Sequence, residues 1–178
     1  MILQDSSRIN LAGARILAVD DNAKSLKILT DLLVSFGATH LSTASNGKEA
    51  KALLSASRFD LLITDGAMPE CDGYDLVRWL RSRPGDDERI IPAIIISAHT
   101  REEQIVLGRD CGAHFVIAKP ISPATLLERI FWISSEARNF IVADTYAGPD
   151  RRWRQEPLPR GVAQGRRRDD PAPKSLFG

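Results

Sequence analysis

The feature that most limits the folds open to this chain is a series of short apolar runs, several of which stop at a polar or charged side chain. The plainest is Leu61-Leu62-Ile63-Thr64, followed at once by Asp65 and the turn Gly66-Ala67-Met68-Pro69. Apolar or β-branched residues in unbroken succession read as a strand buried on both faces, the usual state of a parallel strand covered by helices. Ala14–Asp20, His40–Ser45, Pro92–Ala98 and His114–Ala118 read as strands too; Asp20-Asp21, Ser97 and Lys119-Pro120 stand at the ends of the first, fourth and fifth.

Helical periodicity fills the gaps. Leu26, Leu29, Leu33 and Phe36 follow a cap at Asn22 or Asp21 and precede the stop Gly37. Ala50, Leu53 and Leu54 follow the turn Asn46-Gly47, and Leu76, Val77 and Leu80 mark one face of Tyr74–Arg83 before Pro84-Gly85. A weaker helix, Arg101–Cys111, has Ile105 and Val106 as its apolar residues, with Gly112 as its stop. Ser122-Pro123 opens the last helix, whose stripe is Leu126, Leu127, Ile130 and Phe131. Five strands alternating with five helices through short connections predict a doubly wound α/β domain with a parallel sheet and right-handed crossovers. In such a sheet the carboxyl ends of strands one, three, four and five share an edge, which would gather Asp20, Asp21, Asp65, Ser97 and Lys119.

Each of these residues alone has a plainer reading: Asp20, Asp21 and Asp65 as caps, Ser97 as a turn residue, Lys119 as a solvated charge. Together they describe chemistry. Three close carboxylates raise one another's pKa unless a cation intervenes, and an all-oxygen donor set suits Mg²⁺ or Mn²⁺ rather than zinc. Lys119 adds a positive charge and Ser97 a hydroxyl donor, so the set suits phosphoryl transfer onto a carboxylate, with Asp65 as the acceptor.

From about Ala14 to Ser135 the chain resembles the response-regulator receiver domain of two-component signalling. The resemblance rests on Asp20-Asp21, on Asp65 with Met68-Pro69 and Gly73 behind it, on Ser97-Ala98 and on Lys119-Pro120. It implies the flavodoxin-like receiver fold with strand order 2-1-3-4-5. It further implies that Asp65 takes a phosphoryl group from a phosphohistidine on a kinase or phosphotransfer protein. Asp21, Asp65 and the Ala67 carbonyl would ligate Mg²⁺ directly and Asp20 through water; Lys119 would contact the phosphoryl group, Ser97 would move to hydrogen-bond it, and the Lys119–Pro120 bond would be cis.

Two positions depart from the family. The residue three before the lysine is usually an aromatic switch ring and here is Val116, while Phe115 would face the other side of its strand. Ala67 and His99 occupy the positions that tune phosphoryl lifetime, and His99 also reads as an exposed loop residue without function. The expected role is a stand-alone switch that signals by protein contact, catalysing only its own phosphorylation and dephosphorylation. A phosphorylation-independent adaptor using the same fold is the competing reading.

The remaining organisation comes from composition. A flexible leader is expected over 1–13, the receiver domain over 14–136 and a basic, Pro/Gly-rich, largely disordered extension over 137–178. Of 24 basic and 23 acidic residues, eight and four lie between Ala147 and Gly178, which leaves the domain mildly acidic. The extension, with Trp153 and its arginines, reads as a solvated end, a protein-binding peptide or, less well, a nucleic-acid or membrane contact broken up by Asp150, Glu156, Asp169 and Asp170. Asn139–Ala143 is an apolar run that could dock on the domain. No apolar stretch approaches the length of a membrane span, so a cytoplasmic protein is expected, and a homodimer through the fourth and fifth helices is compatible with the fold. Cys71 and Cys111 lack zinc or disulfide spacing and read as packing residues.

Overall fold

The computed structural model describes residues 11–98, 102–135, 140–143 and 146–149. Five parallel strands, β1 (Arg15–Val19), β2 (His40–Ala44), β3 (Leu61–Asp65), β4 (Ala93–Ser97) and β5 (Phe115–Ala118), form a sheet in the order β2-β1-β3-β4-β5. Helices α1 (Ala23–Ser35), α2 (Gly47–Ala56), α3 (Gly73–Arg81), α5 (Glu102–Asp110) and α6 (Pro123–Ser135) are the five that periodicity predicts. A sixth, α4 (Asp86–Arg89), is a single turn that the stop signal Pro84-Gly85 conceals, so among the described residues the expected count of five helices is corrected to six.

The two-residue period of the strands divides the core. Leu17, Val19, Leu62 and Ile95 pack on one face with Leu54, Leu76, Val77 and Leu80. Ile16, Ala18, Ile63, Ile94 and Ile96 pack on the other with Leu29, Leu33, Leu126 and Ile130. Leu11 is buried in this second group, so the chain is packed from within the stretch expected to be a flexible leader. Phe115 and Val116 fall on opposite faces, as their adjacency on a strand requires.

Local polar chemistry fixes the helix starts. The Asn22 side chain accepts from the Lys24 and Ser25 N–H groups at α1, and Asp72 accepts from Asp75 N–H at α3. Asn46, which as Asn46-Gly47 reads as a turn, caps α2 by accepting from Glu49 N–H at 2.8 Å. The Glu49 carboxylate reaches back to Ser45 N–H at 2.7 Å, and hydrogen bonds from the Ser45 backbone and then its side chain hold that carboxyl below its ordinary value. Helix α5 departs from expectation in its facing. Ile105, Val106 and Leu107 are exposed, Gln104 is half-buried, and Gly108 and, just past the helix end, Cys111 are buried. Burial pushes the Cys111 thiol up to about 11, which suits a packing role.

The apolar run after α6 does dock. β6 (Phe140–Ala143) and β7 (Tyr146–Pro149) form an antiparallel hairpin, which carries regular structure past the change of composition after Thr145. Phe140 covers the Arg81 guanidinium at 5.1 Å, and Arg81 Nε donates to the Gly112 carbonyl at 3.0 Å. Burial lowers Arg81 to about 10, still charged at neutral pH. Gly112 has φ +87°, and a Cβ there would lie 2.3 Å from the Ala147 carbonyl. Gly112→Ala is therefore expected to lift the hairpin and cost about 1–3 kcal/mol, read as a lower urea midpoint. The rest of the extension, including Trp153, lies outside the described residues.

Candidate functional site

The parallel register explains why residues distant in sequence meet at one edge. Asp65 pairs with Ile96 and Ser97 with Ala118, so β3, β4 and β5 end within a residue of each other. Asp20 leaves β1 with its N–H bonded to the Ala44 carbonyl at 3.3 Å, and Lys119 leaves β5 with its N–H bonded to the Ser97 carbonyl at 2.8 Å. One carboxylate oxygen from each of Asp20, Asp21 and Asp65 lies within 4.8 Å of the others. Asp20 and Asp65 are buried and Asp21 is exposed, so the cluster opens to solvent on the Asp21 side.

Lys119 bridges the buried pair. Its Nζ lies 2.5 Å from Asp65 Oδ1 and 3.1 Å from Asp20 Oδ2. Desolvation pushes the ammonium down, but hydrogen bonds to Asp65 and Asp20 outweigh it and leave Lys119 above its ordinary value. The remaining oxygens are used locally: Asp65 Oδ2 accepts from Ala67 N–H at 3.1 Å, and Asp20 Oδ1 from Asn22 N–H at 2.8 Å. One ammonium against three carboxylates leaves the cluster short of positive charge. Among the described residues the donors that meet there are carboxylate oxygens, and a hard divalent cation fits that set.

The loop behind the cluster is held by close packing. Gly66 N–H donates to the Ile96 carbonyl at 2.6 Å, and Gly73 N–H to the Gly66 carbonyl at 3.3 Å. A Cβ on Gly73 would stand 2.1 Å from the Asp65 carbonyl oxygen, so only glycine lets α3 start this near the strand end. The Lys119–Pro120 peptide is cis.

Every residue that the topology was expected to gather is thus present at one edge: Asp20, Asp21, Asp65, Ser97 and Lys119. Val116 sits where a switch ring was expected, packed against α5 so tightly that a Cβ on Gly108 would lie 2.1 Å from its Cγ2. His99 lies outside the described residues. Tyr74 carried no signal beyond its place at the start of a helix. It is buried beside the cluster, its hydroxyl donating to Gln104 Oε1 at 2.7 Å, and no local pattern in the sequence could pair it with α5.

Comparison with known proteins points the same way. The family model for the response regulator receiver domain matches residues 16–131. The chemotaxis protein CheY of Pseudomonas aeruginosa is 33% identical over 118 residues, which cover 65% of this chain and 92% of that protein. The response regulator MprA of Mycobacterium leprae is 33% identical over 153 residues, 86% of this chain and 65% of that protein. Among solved structures, the signal receiver domain of a signal transduction histidine kinase from Syntrophus aciditrophicus superposes with a TM-score of 0.63 at 32% identity, covering 74% of this chain and 99% of that one. The receiver domain of a sensor histidine kinase from Pseudomonas aeruginosa PAO1, with magnesium coordinated in its active-site cleft, gives a TM-score of 0.62 at 27% identity, covering 70% of this chain and 100% of that one.

Proposed function

This chain belongs to the response regulator receiver family, and from that premise we propose that it is a phosphorylation-dependent switch that takes a phosphoryl group onto Asp65 from a histidine kinase or phosphotransfer protein. The observation that carries this reading is the pairing of a buried carboxylate with Lys119 at 2.5 Å inside an acidic cluster open on one side. In the transfer, an Asp65 oxygen forms a bond to phosphorus as the phosphorus–nitrogen bond of the donor breaks, its electron pair passing to the imidazole. Lys119 is placed to follow the charge that arrives with the phosphoryl oxygens, and Ser97 stands at the neighbouring strand end to donate a hydroxyl hydrogen bond. Asp21, Asp65 and the Ala67 carbonyl would hold Mg²⁺ or Mn²⁺, with Asp20 acting through water. That ion would supply the remaining positive charge for the transferring group.

No helix among the described residues is long and apolar enough to cross a membrane, and we place the protein in the cytoplasm with its kinase. Its output is protein contact rather than turnover of a substrate. Intact-mass spectrometry after incubation with Mg²⁺ and acetyl phosphate tests the reading. Wild type is expected to gain one phosphoryl group, and EDTA in place of Mg²⁺ is expected to abolish the gain. No gain in the presence of a confirmed Mg²⁺ complex would instead favour the phosphorylation-independent adaptor.

A further inference from the structure

A receiver that lacks the ring on β5 needs another route from Ser97 to the helix beside it, and the packing around Tyr74 offers one. The Tyr74 ring enters from α3 and lies over the first residue after the acceptor: a Cβ on Gly66 would stand 3.2 Å from its Cε2. The opposite ring edge approaches α5, where a Cβ on Gly108 would be 3.8 Å from Cε1. Gly66 thus makes room for one edge of the ring, while the other edge reaches ordinary contact distance of α5. At its tip the phenol donates to Gln104 Oε1 at 2.7 Å, and the Ser97 side chain lies near enough to act on its ionisation. The chain of contacts runs Ser97, Tyr74, Gln104, from the strand end to α5.

Val116 cannot play this part, because it has no polar tip and is locked against Gly108. Tyr74 is buried, and that burial raises the phenol above its ordinary value, so it keeps the proton that it gives to Gln104. We propose that Tyr74 is the positioning residue that carries the state of Ser97 to α5, doing from α3 what a ring on β5 would otherwise do. The proposal rests on the reading of Asp65 as phosphoacceptor. When the Ser97 hydroxyl turns to a phosphoryl group on Asp65, the Tyr74 phenol loses that polar neighbour. Its hydrogen bond is to Gln104, so the rearrangement falls on α5.

Two variants test this, followed by backbone amide NMR across α5 with and without Mg²⁺ and beryllofluoride, a phosphoryl mimic. Tyr74→Phe keeps the ring and removes the hydroxyl; Gln104→Leu keeps Tyr74 and removes its acceptor on a part-exposed helix face. Both are expected to bind beryllofluoride as wild type does, while their α5 shift changes fall by about half or more, a split that a merely structural residue would not produce. Uptake with undiminished α5 changes in both variants overturns the role of Tyr74 alone. A wild type that takes up no beryllofluoride overturns the acceptor reading and this proposal with it.

Discussion

Asp65→Asn is expected to fold and to keep its original mass under conditions in which wild type gains one phosphoryl group. The substitution is nearly isosteric, and an amide oxygen can still accept the Ala67 N–H that Oδ2 accepts at 3.1 Å. What disappears is the nucleophile, since a neutral amide oxygen does not form a stable acyl phosphate. Charge shifts as well. With one carboxylate fewer, the cluster should hold Mg²⁺ more weakly, and Lys119 keeps only Asp20, at 3.1 Å, of its two close acids. Circular dichroism like that of wild type, with no mass gain, is the expected pair of results. A gain of one phosphoryl group on Asp65→Asn would place the acceptor elsewhere.

Lys119→Met separates charge from nucleophile at the same site. Asp65 remains, but the cation 2.5 Å from it is gone, and loss of one such stabilising contact is expected to slow phosphoryl uptake by about 10²-fold. The wild-type pH dependence carries its own sign. Because Lys119 sits above its ordinary value when folded, its ion pairs contribute stability through the neutral range, and that contribution is lost as pH rises through the folded pKa in the alkaline range. Lys119→Met should therefore flatten the alkaline limb of the stability curve.

Much of the fold and of the edge cluster was legible because both follow from period and topology. Once Leu61–Thr64 is a strand covered on both faces and the connections are short, the parallel order leaves Asp20, Asp65, Ser97 and Lys119 no place but one edge. The features that stayed hidden depend on tertiary contacts. Helix α4 is one turn long, too short for any apolar period to show. Ile105 and Val106 drew attention on α5, but its inward side carries Gln104 and Gly108, since Val116 leaves room only for a glycine there. Arg81, at the end of α3, would pass for a solvated charge, and it is buried because the hairpin of β6 and β7 closes over it. Tyr74 belongs with these: its ring is explained by a glycine 8 residues before it and an acceptor, Gln104, 30 residues after it.

Gly73→Ala is the substitution expected to do the greatest damage for its size. Its Cβ would lie 2.1 Å from the Asp65 carbonyl oxygen, 3.0 Å from the Asp65 carbonyl carbon and 3.1 Å from Thr64 Cγ2. At Gly112 a similar clash can be relieved by lifting the hairpin of β6 and β7. No such escape exists here, because β3 lies inside the sheet with β1 and β4 on either side and the start of α3 is pinned by Asp72 accepting from Asp75 N–H at 2.7 Å. The strand end and the helix start must move apart, and what moves with them is Asp65. A loss of about 2–4 kcal/mol is expected, in the range of a forced core overpacking joined to a disturbed hydrogen-bond network, read from urea unfolding. The functional effect should exceed the stability effect. At a temperature where Gly73→Ala is still folded, displacement of the acceptor by even a fraction of an ångström breaks its alignment with Lys119 and the acidic cluster, and alignment of that kind governs the rate of transfer. The mass gain from acetyl phosphate should then be largely lost, although all five edge residues are still present. Full phosphoryl uptake by a stable Gly73→Ala protein would show that the contact between α3 and the end of β3 does not set the geometry of the site.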